Sequence, residues 1–173
     1  SSRVDTPLVY MTYLNVLFKY GYDKFLQNAK DAGISGVIVP DLPYEEKDEL
    51  QSVAEKYDID VISLIAPTSE DRIKMIANDA KGFIYTVSSM GVTGMRNEIK
   101  TDLQSIVSHI KSVTDVPVAI GFGINKPQQA KEFSAYADGV IVGSAIVNIV
   151  AEHGKDAPEY VFDYVKSMKD AIR

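Results

Sequence analysis

Apolar, β-branched runs alternate along the chain with segments that carry apolar residues at helical spacing. The runs are PLVYMTY from Pro7, GVIVPDLP from Gly36, DVISLIAP from Asp60, GFIYTVSS from Gly82, VPVAIGFGI from Val116 and DGVIVGSAIV from Asp138. None shows the polar alternation of a half-exposed strand. Each therefore predicts a strand buried on both faces, as in a parallel sheet covered by helices. Between the runs, YDKFLQNAKDAG puts Phe25, Leu26 and Ala29 on one helical face and stops at Gly33. EEKDELQSVAEKY, EDRIKMIANDA, KTDLQSIVSHIKSV and KPQQAKEFSAYA repeat that pattern. Helix entries are marked by Pro43 ahead of Glu45 and Glu46, by Thr68 three residues before Asp71, and by Asn125 ahead of Pro127. Such residues suit the positive end of a helix dipole.

Six βα units follow, with a mean repeat of about 26 residues and no linker or low-complexity stretch between them. Six parallel strands fit either an open doubly wound sheet or most of a barrel. Eight such repeats come to roughly 210 residues before terminal extensions, against ~250 for the complete fold, which favours a (β/α)8 TIM barrel that is incomplete here. Residues 1–173 then read as a single partial TIM-barrel domain of the α/β class.

Composition narrows the chemistry. The 173 residues carry 18 Lys and Arg against 24 Asp and Glu, a net charge of -6, and 46% of them are hydrophobic. A chain this apolar, with its charges dispersed, buries a core and is not disordered. The acidic balance argues against nucleic acid as a partner. With no Cys and only His109 and His153 as imidazoles, thiolate metal sites, zinc chemistry and a Ser-His-Asp triad are improbable, and no metal is expected. No apolar stretch reaches the roughly 18 residues of a membrane span. The segment SSRVDT has no apolar core of a signal peptide, so a soluble, cytoplasmic protein is expected.

In parallel α/β folds ligands sit at the carboxyl ends of the strands. Read in order, those positions hold Tyr13 and Asn15, Asp41 and Pro43, Pro67 and Thr68, then the glycine-bearing stretches MGVTG, GFG and VGS. Glycines there let backbone N–H groups approach an anion, and a helix that follows adds its dipole. Each glycine loop taken alone reads first as an ordinary turn. Three successive glycine loops, the last two where barrels commonly bind phosphate, favour a phosphate site. GFGINK is not a dinucleotide fingerprint, because Lys126 occupies its third glycine position, and no P-loop GK[ST] occurs.

PLVYMTYLN, GVIVPDLPYEE, GFIYTVSSMGVTG, PVAIGFGI and DGVIVGSAIV occur in the order and spacing of the tryptophan synthase α subunit, which the chain resembles over nearly its whole length. The resemblance implies a (β/α)8 barrel lyase that cleaves indole-3-glycerol phosphate to indole and glyceraldehyde 3-phosphate in tryptophan biosynthesis. It implies an α2β2 heterotetramer in which the β subunit, not this chain, carries pyridoxal phosphate. It also implies that Gly94, Gly123, Gly143 and Ser144 cradle phosphate. Tyr13, Tyr85, Thr93 and Phe122 would line the substrate pocket. Asn15 and Pro43 would face the β subunit, and Asp41 would support loop closure. PLVYMTYLN resembles the family's third strand, so the six runs correspond to strands three to eight. The family's catalytic glutamate and aspartate lie in segments upstream of that strand, and no matching motif occurs here. No catalytic residue is therefore expected within these 173 residues, and the chain alone is expected to be inactive.

Plainer readings accompany several of these residues. Tyr85 lies in an apolar run and could be a core aromatic. Asp41 could cap the helix after Pro43. His109 on a helix and His153 in a polar loop suit solvated positions, and EEKDE reads as a solvated helix face. Two other functions stay open: a non-catalytic barrel fragment that binds phosphate or a partner, and another phosphate-binding barrel such as a sugar-phosphate isomerase or epimerase. The second would need carboxylate or histidine ligands at strand ends.

Overall fold

The computed structural model describes residues 5–87, 103–121 and 123–172. Among them run seven strands: β1 (Leu8–Met11), β2 (Ile34–Ile38), β3 (Asp60–Val61), β4 (Ser63–Ile65), β5 (Ile84–Val87), β6 (Val118–Gly121) and β7 (Gly139–Val140). The α-helices are α1 (Leu14–Tyr20), α2 (Tyr22–Asp31), α3 (Lys47–Ala54), α4 (Glu70–Asn78), α5 (Leu103–Lys111), α6 (Pro127–Phe133), α7 (Ser144–His153) and α8 (Ala157–Ala171). Every strand pairing is parallel. The strands follow chain order, β1-β2-β3 and β4-β5-β6-β7, and among the described residues β1 pairs only with β2 and β7 only with β6.

Six runs give seven strands because the run from Asp60 divides at Ile62. Its first half pairs with β2 and its second half with β5, while the Ile62 N–H still donates to the Val37 carbonyl at 2.9 Å. A staggered register of this kind is what barrel curvature demands. The last run also departs from expectation, since its strand ends at Val140 and SAIV opens α7. The N–H groups of Ile146 and Val147 both donate to the Gly143 carbonyl, a helical pattern that overrides their β-branched preference. Before α4 the cap is Ser69 rather than Thr68, and its hydroxyl accepts from the Arg72 N–H. Gly33, at φ +75°, ends α2 as the sequence predicts.

Strand alternation sorts the core into two layers. Outside the sheet, Leu17, Leu26, Val37 and Leu50 pack beneath α1 to α3, and Ile65, Ile73, Ile84, Ile110 and Ile120 pack beneath the later helices. Each such side chain stabilises the fold by about 1.5–3 kcal/mol. Inside lie Ile38, Ile62 and Tyr85, flanked by Leu64, Val87 and Ile141.

At the amino ends of the strands, Asp138 accepts the Val118 N–H at 2.8 Å and the Lys111 ammonium at 2.9 Å. Partial burial alone would raise its pKa, but these donors outweigh it and hold the carboxyl below the ordinary range. A lowered native pKa contributes stability that is complete above about pH 4 and is lost as pH falls through the lowered value. Urea midpoints should therefore drop on acidification below about pH 4, and Asp138→Asn should flatten part of that dependence. Parallel pH profiles for the two proteins would count against this role.

Candidate functional site

The described residues among those the sequence predicts lie at or near the carboxyl ends of the strands. Ser144 is the first residue of α7, and Gly143 caps that helix without a side-chain hydrogen bond. The opening N–H groups of a helix have no partner within it. No acidic residue occupies the first turn of α7, so its positive end is not neutralised. Gly143 and Ser144 are exposed. Gly123 follows β6, the strand paired with β7, and holds φ +78°, a conformation that favours glycine. A Cβ built on either Gly123 or Gly143 would meet nothing within 4 Å. Two adjacent strand ends thus present open glycine backbone beside an uncovered helix N-terminus, which is the chemistry of an anion site. Thr93, Gly94 and Phe122 lie outside the described residues.

Tyr85 projects from β5 into the barrel interior and is 9% exposed, packed with Ile38 and Ile62. Burial raises its pKa, so the phenol stays protonated. Beside it lies Gly121, the first glycine of GFG, which faces the Tyr85 ring. A Cβ there would stand 2.5 Å from the Tyr85 hydroxyl oxygen and 2.6 Å from Cζ. The readable signal was a glycine still inside its strand, next to a strand with an inward tyrosine.

On the other side of the rim, Tyr13 precedes α1 and is 63% exposed. Asn15 is the second residue of α1, and Pro43 opens a short 3-10 turn, Tyr44–Glu46. Asp41 does not cap the segment after Pro43. Its Oδ1 accepts the Leu14 N–H at 2.8 Å, joining the loop after β2 to the start of α1.

The remaining candidates sit away from the rim. The His109 ring faces the Glu70 carboxylate at 3.6 Å and is one-third exposed. His153 is not in a loop: it ends α7, with its ring stacked 3.6 Å from that of Tyr160. EEKDE is not a uniformly solvated face either, because Lys47 is 7% exposed. Among the described residues no group of three or more His, Asp or Glu could hold a metal ion, and no helix is long and apolar enough to cross a membrane.

The sequence profile of the family described as tryptophan synthase alpha chain matches residues 1–173. The chain belongs to the tryptophan synthase alpha chain family. The alpha chain of Lacticaseibacillus casei is 52% identical over 174 residues, covering 99% of this chain and 65% of that protein. The alpha chain of Thermoanaerobacter sp. (strain X514) is 46% identical, with 98% and 66% covered. The chain thus spans about two thirds of the length of these relatives. Mycobacterium tuberculosis tryptophan synthase superposes with a TM-score of 0.86 at 34% identity, over 99% of this chain and 65% of that one. A chain of the tryptophan synthase α2β2 complex from Pyrococcus furiosus gives 0.85 at 35%, over 98% and 69%.

Proposed function

We propose that this chain forms the phosphate-holding and partner-facing part of a carbon–carbon lyase site that cleaves indole-3-glycerol phosphate to indole and glyceraldehyde 3-phosphate. The observation that carries the reading is the exposed N-terminus of α7 at Gly143 and Ser144, beside the positive-φ Gly123 on the neighbouring strand end. The phosphate would accept backbone N–H groups there, with Gly94 joining by resemblance. Tyr13, Tyr85, Thr93 and Phe122 would line the path of the indole, and Asn15 and Pro43 would meet the β subunit, whose pyridoxal phosphate is its own.

The reaction breaks the bond between indole C3 and the adjacent glycerol carbon. C3 gains a proton, the glycerol hydroxyl loses one, and the electron pair of the broken bond stays with indole as the aldehyde forms. Two positioned carboxylates suit that work. Among the described residues, Asp41 is the only carboxylate in the three positions that follow a strand, and it is engaged with the Leu14 N–H. This favours a second reading for these 173 residues taken alone, in which they bind phosphate without turning it over.

The decisive variant is Gly143→Asp, which sets a carboxylate at the anion site. Titration with glycerol phosphate should show binding to the unsubstituted chain and a loss of at least about a hundredfold in the variant, the cost of a like charge held at close range to the anion. Equal affinities would place the anion elsewhere.

A further inference from the structure

The loop after β2, which carries Asp41 and Pro43, spans two separately packed parts of the core. Leu42 packs against the cluster beneath α1 to α3, while Tyr44 packs against the cluster beneath the later helices. Between them lies a solvent-open cleft lined by Val39, Leu42, Tyr44, Lys47, Ser63 and Ile76. Apolar packing thus holds the loop at Leu42 and at Tyr44 on either side of the cleft. A polar cluster does so from the side. The Lys47 ammonium, on a side chain 9% exposed, lies 2.7 Å from Asp79 Oδ2 at the end of α4. It also sits 4.5 Å from the centre of the Tyr44 ring. The Tyr44 hydroxyl donates to the same Asp79 oxygen at 3.2 Å. One residue on, Glu45 is held in a bidentate pair by Arg72 of α4.

We infer that Lys47, Asp79 and Tyr44 are positioning residues for the partner-facing loop: their cluster clamps the end of that loop to α4, and thereby sets Asp41 and Pro43 for the β subunit. The inference rests on the reading of Pro43 and Asn15 as partner-facing given above. Its physical basis is the asymmetry of a buried pair. Removing Asp79 strands a buried ammonium, which then seeks water through the cleft and carries Tyr44 with it. Asp41 is tied to the Leu14 N–H, so a displaced loop also moves the start of α1, where Asn15 stands.

The test uses Asp79→Ala, the milder Asp79→Asn, and Asp138→Asn as a variant destabilised at the opposite end of the strands. The alpha chain is titrated with the tryptophan synthase β subunit, and amide exchange is followed at Leu42 and Glu46, whose N–H groups donate to Val39 and Pro43. Asp79→Ala should weaken the β-subunit Kd by about tenfold or more and speed exchange at both amides by a similar factor, with glycerol phosphate affinity within about twofold. Asp79→Asn should fall between, because it keeps an acceptor for Lys47 and Tyr44. Asp138→Asn should leave both readouts unchanged. Unchanged exchange in Asp79→Ala, or equal losses in Asp138→Asn, would overturn the clamp. Should the unsubstituted chain not bind the β subunit, the assignment of the partner fails while the exchange data still decide whether the cluster holds the loop.

Discussion

Gly121→Ala should damage this chain far more than a glycine-to-alanine change in a strand ordinarily does, and shortening Tyr85 should undo the damage. The atoms that a Cβ at position 121 would strike belong to the far end of the Tyr85 ring. The ring cannot retreat easily, because it is packed among Ile38 and Ile62 inside the barrel. Overpacking of this kind costs about 1–3 kcal/mol. Any ring displacement that relieves it pushes the phenol toward the pocket it is proposed to line. Gly121→Ala should therefore lower the urea midpoint and, in an active alpha chain, cut kcat/KM by at least about tenfold. Tyr85→Leu removes Cζ and the hydroxyl, so the double variant should be more stable than the sum of the single effects by over about 1 kcal/mol. Tyr85→Phe keeps Cε2 and Cζ and should not rescue. Additive stabilities across the cycle would show that the ring and Gly121 are not in conflict.

That pair also marks the boundary of what the sequence carries. Local pattern was enough to find each strand run, the face of Leu26 and Ala29 that α2 buries, and the stop at Gly33, because these depend on residues within one or two turns. It was enough, too, to bring Gly123, Gly143 and Ser144 to one rim, since parallel topology places all strand ends together. Whether a glycine serves an anion or a neighbouring ring is not local. Gly123 and Gly143 face open space while Gly121 faces Tyr85, and all three read alike in the sequence.

Asp41 and Lys47 make the same point with charge. Asp41 finds its N–H donor 27 residues upstream, at Leu14, so the short-range capping rule pointed to the wrong helix. Lys47 sits in a run of charges that resembles solvated surface, yet α4 folds over it and supplies Asp79. In both cases a polar side chain is committed by tertiary contact, and spacing along the chain holds no record of it. Both commitments converge on one loop, so the rim beside α1 is held by side-chain ties, while the rim at Gly123 and Gly143 presents backbone.

The second large expected effect concerns the open edges. Among the described residues β1 pairs with β2 alone and β7 with β6 alone. All four β1 side chains are exposed, from Leu8 at 37% to Met11 at 60%, and Val16 and Phe18 of α1 extend the surface at 48% and 72%. On α7 and α8, Val147, Phe162 and Val165 are also exposed. Unpaired backbone flanked by apolar side chains recruits other strands, and a closed barrel has no such edge. The 173-residue polypeptide, purified by itself at ~50 µM, should therefore sediment as oligomers rather than as a monomer. Met11→Lys with Phe18→Lys places charge along the β1 edge without touching the buried clusters, and should shift most of the material to monomer while leaving the circular dichroism spectrum unchanged. A monomeric unsubstituted chain would mean that the edge is covered by its own sequence. Oligomers that persist in the double variant would move the association to α7 and α8, where Phe162→Lys is the next variant to measure.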